Sequence, residues 1–99
     1  MAEYQTNLQI DSERLWASIH ETAKFGATPK GGVKRLTLGT EDKHVRDWFC
    51  TACRAAGCEV HIDALGSIFA VRPGRDPSKL PIGIGSHLDT QPTGGKYDG

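Results

Sequence analysis

The chain has 99 residues, and its 12 Lys and Arg balance its 12 Asp and Glu, so the formal charge is zero. That length bounds the chain to one domain at most, with a small core. The balanced charge gives no basic surplus for nucleic acid, and no apolar run is long enough to span a bilayer. Residues 1–10 are polar (Glu3, Gln5, Thr6, Asn7, Gln9) and lack the basic-then-apolar layout of a secretion signal, so a cytoplasmic location is expected.

The first element reads as a helix of about 14 residues. Asp11 or Ser12 can accept from the free N–H groups of its first turn, and Glu13 complements the dipole there. Leu15, Ile19 and Thr22–Ala23 recur at helical spacing beside Trp16, and Gly26 is the expected stop. Residues 26–39 carry Gly26, Pro29, Gly31, Gly32 and Gly39 and read as an ordered loop. Lys30, Lys34 and Arg35 make that loop basic, either to touch an anionic substrate or simply as a solvated connection.

A second helix is expected from Thr40 as N-cap, with Glu41 and Asp42 in its first turn. Val45, Phe49, Ala52 and Ala56 form one stripe that Trp48 extends, and Gly57 ends the helix. The period then changes to two: Val60 and Ile62 alternate with Glu59, His61 and Asp63. Asp63 to Gly66 is a turn and Ser67 to Arg72 a second strand, so residues 58–72 should form a β-hairpin. Leu80 to Ser86 is a mostly apolar segment, expected as a third, interior strand. The order predicts an α/β layer structure, two helices followed by a mixed β-sheet.

Cys50 and Cys53 have C-x-x-C spacing, with Cys58 five residues on. No second pair follows and both lie in a helical pattern, so they read as small helix-face residues. His20, His44 and His61 read as surface histidines.

Chemistry concentrates in the last fifteen residues, Gly85-Ser-His87-Leu-Asp89-Thr-Gln-Pro-Thr-Gly-Gly-Lys-Tyr-Asp98-Gly99. They begin where the apolar segment ends, and the carboxyl ends of strands are where α/β sites form. His87 and Asp89 are two apart, so extended backbone puts both on one face. A metal-bound histidine normally gives its other ring N–H to a carboxylate, and His-x-Asp fits a ligand with its orienter. Asp98 follows a loop containing Pro92, Gly94 and Gly95 that can fold back sharply. A carboxylate delivered there can bridge two divalent ions. Taken singly, Asp98 is a turn residue, and Lys96 and Tyr97 are ordinary loop residues; the combination of motifs is what singles out Asp98.

This motif closely resembles the metal-binding segment of the M20-type metallopeptidase and amidohydrolase superfamily. The resemblance is greatest to the branch of N-carbamoyl-L-amino-acid hydrolases, β-ureidopropionases and allantoate amidohydrolases. It extends through Gly31–Leu38, Glu41–Phe49, Ala56–Ala70 and Arg72–Pro77. The resemblance implies that His87 ligates one metal, that Asp98 bridges both, and that Asp89 holds His87 from outside the coordination shell. It implies two divalent ions, zinc first with manganese, cobalt or nickel as substitutes. It also implies a frequently cis peptide after the bridging aspartate, here Asp98–Gly99.

The implied reaction is hydrolysis of the carbamoyl C–N bond of a small N-carbamoyl or ureido substrate by a homodimeric enzyme. Allantoate or a dipeptide is the alternative substrate, and a non-catalytic fragment is the alternative outside enzymes. The family's general base, a Glu-Glu pair, and its remaining histidines have no counterpart in these residues. Residues 1–99 are therefore expected to be the N-terminal portion of a metal-binding catalytic domain, inactive alone and weak in metal binding.

Overall fold

The computed structural model describes residues 9–98. Helix α1 spans Ser12–Thr22, and Asp11 caps it by accepting the Arg14 N–H at 3.0 Å. It ends four residues before Gly26, which takes φ +93° after a short turn. The earlier end has a cause in the tertiary structure. The Arg35 guanidinium donates through Nη1 to the carbonyls of Thr22, the last helical residue, and Phe25, in the turn after it, both at 2.8 Å. The expected apolar stripe is not covered: no residue of α1 is buried, and Leu15 and Trp16 stay half exposed. Only Ala23, just past the helix, is buried.

Helix α2 spans Thr40–Ala55, with Gly39 rather than Thr40 as N-cap. Thr40 is already helical, and no side chain caps from the N-cap position. Asp42 takes over by reaching back one residue beyond the cap, accepting the Leu38 N–H at 3.0 Å. Asp42, Val45 and Cys50 are the buried residues of α2, with Trp48 and Phe49 half-buried and Ala52 and Ala56 exposed. The stripe therefore runs through Cys50, not through the C-terminal alanines, and all three cysteines are free. Gly57 ends the helix at φ +86°, as expected.

Strands β1 (Glu59–Ile62) and β2 (Ile68–Val71) form the expected antiparallel hairpin, with Val60 opposite Ala70 and His61 opposite Phe69. Its turn is built by Asp63, whose Oδ1 accepts the Leu65 and Ser67 N–H groups at 3.0 and 2.8 Å. Arg46 of α2 donates to the Gly66 carbonyl and fastens the hairpin to the helix.

The third strand is a correction. Residues 80–86 pair with nothing among the described residues, so the sheet has two strands and is antiparallel rather than mixed. Leu80, Ile82 and Ile84 are 92, 94 and 98% exposed. An apolar run becomes an interior strand only when neighbours satisfy its backbone and cover its side chains, and the hairpin does neither.

The segment that does fold back is the glycine-rich end. Val33 bridges both Ala27 and Gly94, and its N–H donates to the Gly94 carbonyl at 2.8 Å. Thr90 N–H donates to Arg35 O at 2.7 Å, while its hydroxyl accepts the Arg35 N–H at 2.9 Å and donates to Val33 O at 3.1 Å. Val33, Arg35 and Thr90 are all buried. A Cβ on Gly94 would lie 2.7 Å from the Thr90 Cβ, so this approach requires glycine.

Candidate metal centre

Arg35 sets the position of the His87–Asp89 turn. Its Nε donates to the Leu88 carbonyl at 2.7 Å while Nη1 holds the end of α1. The loop arginine is thus a buried brace between the end of α1 and the His87–Asp89 segment. Burial lowers its pKa, opposed by the nearby carboxylates of Asp42 and Asp89.

His87 Nδ1 lies 2.8 Å from the Asp89 carbonyl oxygen and 3.1 Å from Asp89 Oδ1. Both partners can only accept, so Nδ1 carries the proton and Nε2 of the neutral ring keeps its lone pair. That lone pair faces Asp98, whose Oδ1 is 3.6 Å away. The Asp89 carbonyl contact raises the His87 pKa most, with the Asp89 and Asp98 carboxylates adding to it against desolvation. On its far side, Asp89 Oδ2 accepts from the Thr37 hydroxyl at 2.5 Å. That bond first, and the His87 contact after it, hold the Asp89 carboxyl below its ordinary pKa.

The three acidic and imidazole groups singled out in the sequence are therefore brought together, in the order Asp89, His87, Asp98. With the proton on Nδ1, Nε2 and the Asp98 carboxylate are two lone-pair donors that suit a cation. Two ligands on adjacent corners of a tetrahedral zinc shell, at metal distances near 2.1 Å, stand about 3.4 Å apart. The observed 3.6 Å fits that spacing. No cluster of three or more His, Cys, Asp or Glu suited to a metal occurs among the described residues. His87 and Asp98 are thus two candidate ligands, short of the three usual for a catalytic zinc.

A cleft of about 380 Å³ adjoins the pair, lined by His87 and Asp98 together with Leu15, Ile19, Trp48 and Phe49. Tyr97 stacks on Trp16 with ring centres 5.8 Å apart, and its hydroxyl lies 3.5 Å from His20 Nε2. His20 therefore belongs to this aromatic group, while His44 and His61 are exposed beside Glu41 and Glu59. The Asp98–Gly99 peptide lies outside the described residues.

The comparisons agree along the whole chain. It is 48% identical over 99 residues to an N-carbamoyl-L-amino-acid amidohydrolase of Rhizobium meliloti, covering 100% of this chain and 24% of that one. An amidase of the hydantoinase/carbamoylase family from Burkholderia vietnamiensis superposes with TM-score 0.91 at 49% identity, over 97% of this chain and 23% of that one. Across its length this chain is similar to amidohydrolases of the carbamoylase branch. An allantoate amidohydrolase of Bacillus subtilis is 36% identical over 81 residues, 82% of this chain and 20% of that protein. The chain spans about a quarter of the length of the carbamoylase relative. No family model matches it.

Arg35 and Thr37 were the residues that the sequence did not assign to the site. Their partners lie 53 and 52 positions away. No local spacing signals such contacts; only the family-wide similarity of residues 31–38 hinted that this loop is constrained.

Proposed function

We propose that the complete protein is a metal-dependent amidohydrolase that cleaves the carbamoyl C–N bond of N-carbamoyl-amino acids. In it, His87 Nε2 ligates one divalent ion, the Asp98 carboxylate bridges a pair of ions, and Asp89 orients His87. The observation that carries this reading is the two-sided placement of His87, with Nδ1 fixed by Asp89 and Nε2 turned to Asp98. The identity to the Rhizobium amidohydrolase directs it to carbamoyl substrates. When bound, a divalent pair, zinc first and manganese, cobalt or nickel as substitutes, lowers the pKa of a bound water and polarises the substrate carbonyl. The residues of this chain contribute holding and orienting: Asp89 keeps the proton on Nδ1, and Asp98 places negative charge opposite Nε2.

Allantoate is the second reading, supported by the similarity to the Bacillus allantoate amidohydrolase. The same proposal has the complete enzyme as a cytoplasmic homodimer. Among the described residues no helix is long and apolar enough to cross a membrane.

The test is ammonia release by the complete protein from N-carbamoyl-amino acids and from allantoate, before and after chelation. His87→Ala and Asp98→Asn are each expected to lower kcat at least a hundredfold and to reduce bound metal. Full activity after rigorous metal removal, or in both variants, excludes this chemistry. Preference for allantoate moves the assignment to the second reading.

A further inference from the structure

We infer that Thr37 is a positioning residue for the metal centre, holding the far oxygen of the carboxylate that orients His87. The inference rests on the function proposed above but goes one residue further out. Asp89 has two oxygens and both are engaged: Oδ1 meets His87 Nδ1 at 3.1 Å, and Oδ2 accepts from Thr37 Oγ1 at 2.5 Å. A carboxylate held at one oxygen still turns about its Cβ–Cγ bond, whereas one held at both is fixed in plane. Thr37 therefore sets the angle at which Asp89 meets the imidazole, and hence where Nε2 points. Groups of this kind outside the coordination shell typically change metal affinity 10–100-fold when removed.

The loop is built to deliver that hydroxyl. Arg35, two residues earlier, has its backbone pinned to Thr90 in both directions, and its side chain holds Leu88 O within the His87–Asp89 turn. Leu38, one residue later, is the only non-glycine residue with positive φ among the described residues, at 69°. Its side chain is 94% exposed, so packing does not reward the conformation. Instead its N–H is held by the buried Asp42, and the Gly39 N–H closes a turn on Leu36 O at 3.0 Å. Thr37 thus sits between two fixed points, the Arg35–Thr90 lattice and the Leu38–Asp42 bond.

The experiment compares the unaltered protein, Thr37→Val and Thr37→Ser. The first readout is the ¹⁵N shift pair of the neutral His87 imidazole without metal. The second is Co²⁺ affinity from ligand-field absorption, and near-ultraviolet circular dichroism checks the fold of each variant. The Nδ1–H form should dominate in all three proteins, because the Asp89 carbonyl also holds Nδ1 at 2.8 Å, but the Nε2–H share should be measurably larger in Thr37→Val than in the unaltered protein or Thr37→Ser. Co²⁺ affinity should fall about tenfold in Thr37→Val and recover in Thr37→Ser. A His87 tautomer ratio that is the same in Thr37→Val as in the unaltered protein overturns the inference. So does an Nε2–H form dominating the unaltered protein, or a Thr37→Ser variant no better than Thr37→Val. A tautomer contrast without Co²⁺ binding in any form leaves Thr37's positioning of the ring standing and defeats the metal assignment of His87 and Asp98 instead.

Discussion

At the scale of single residues, two side chains do work that their neighbours in sequence cannot explain. Arg35 supplies donors to the carbonyls of Thr22, Phe25 and Leu88 from a buried position. Arg35→Met keeps the aliphatic stem and removes every one of those donors, and bonds from charged groups contribute about 1.5–3 kcal/mol each. We expect the loss to reach about 3 kcal/mol or more, enough to leave much of this small-cored chain unfolded in a urea titration. Leu38 is the opposite case. Its left-handed backbone costs roughly 1–2 kcal/mol and its side chain packs on nothing. Leu38→Asn keeps the N–H that Asp42 accepts and suits the conformation better. It should stabilise the chain by about 0.5–1 kcal/mol; an unchanged or lower denaturation midpoint would show that φ here carries no strain.

At the scale of elements, the loop-to-loop contact between residues 33 and 94 matters more than either helix face. Gly94 passes so close to Thr90 that a methyl group forces the segments apart. Gly94→Ala should cost about 1–3 kcal/mol, as overpacked sites do, and should lower Tm by several degrees in a calorimetric scan. Helix α2 offers an electrostatic check. Lys43 Nζ donates to Asp47 Oδ2 at 2.7 Å and holds that exposed carboxyl below its ordinary value of 3.8. A carboxyl depressed in the folded state stabilises it above the unfolded pKa, and the contribution disappears as pH falls through the folded value. The Asp47 titration, followed by NMR, should therefore have its midpoint below 3.8 and return towards it in Lys43→Ala or at high salt. A midpoint unmoved by both would assign the shift to something other than the ion pair.

At the scale of the whole molecule, the chain is elongated and thinly cored. Its radius of gyration is 16.4 Å, against about 13 Å for a compact domain of 100 residues. Its buried hydrophobic residues are Ala23, Val33, Val45 and Cys50, while Leu80, Ile82, Ile84, Ile62 and Phe69 face solvent. Exposed apolar segments of this kind associate. Light scattering of this chain should show concentration-dependent self-association, and Ile82→Lys with Ile84→Lys should suppress it. A monodisperse monomer at all concentrations would show that the exposed face is tolerated.

What the sequence determined by itself is what depends on near neighbours. The Asp11 cap, the glycine end of α2, the Asp63 turn and the hairpin register all follow from residues within a few positions of one another. The His87–Asp89 pair is also local, though their contact is made across a bend at Leu88 and not by alternation along an extended strand. The approach of Asp98 was legible only through the family motif and the foldable loop before it. The tertiary structure decided the rest. Arg35 read as a surface charge until its carbonyl partners on α1 and at Leu88 came into view. Thr37 had no role until Asp89 arrived from 52 residues away. Residues 80–86 had the composition of an interior strand, but composition supplies neither the hydrogen-bonding neighbours nor the covering layer that make one. Local chemistry fixes caps, turns and periodicity; contacts across the chain depend on how distant segments close on each other, and no residue encodes that closure alone.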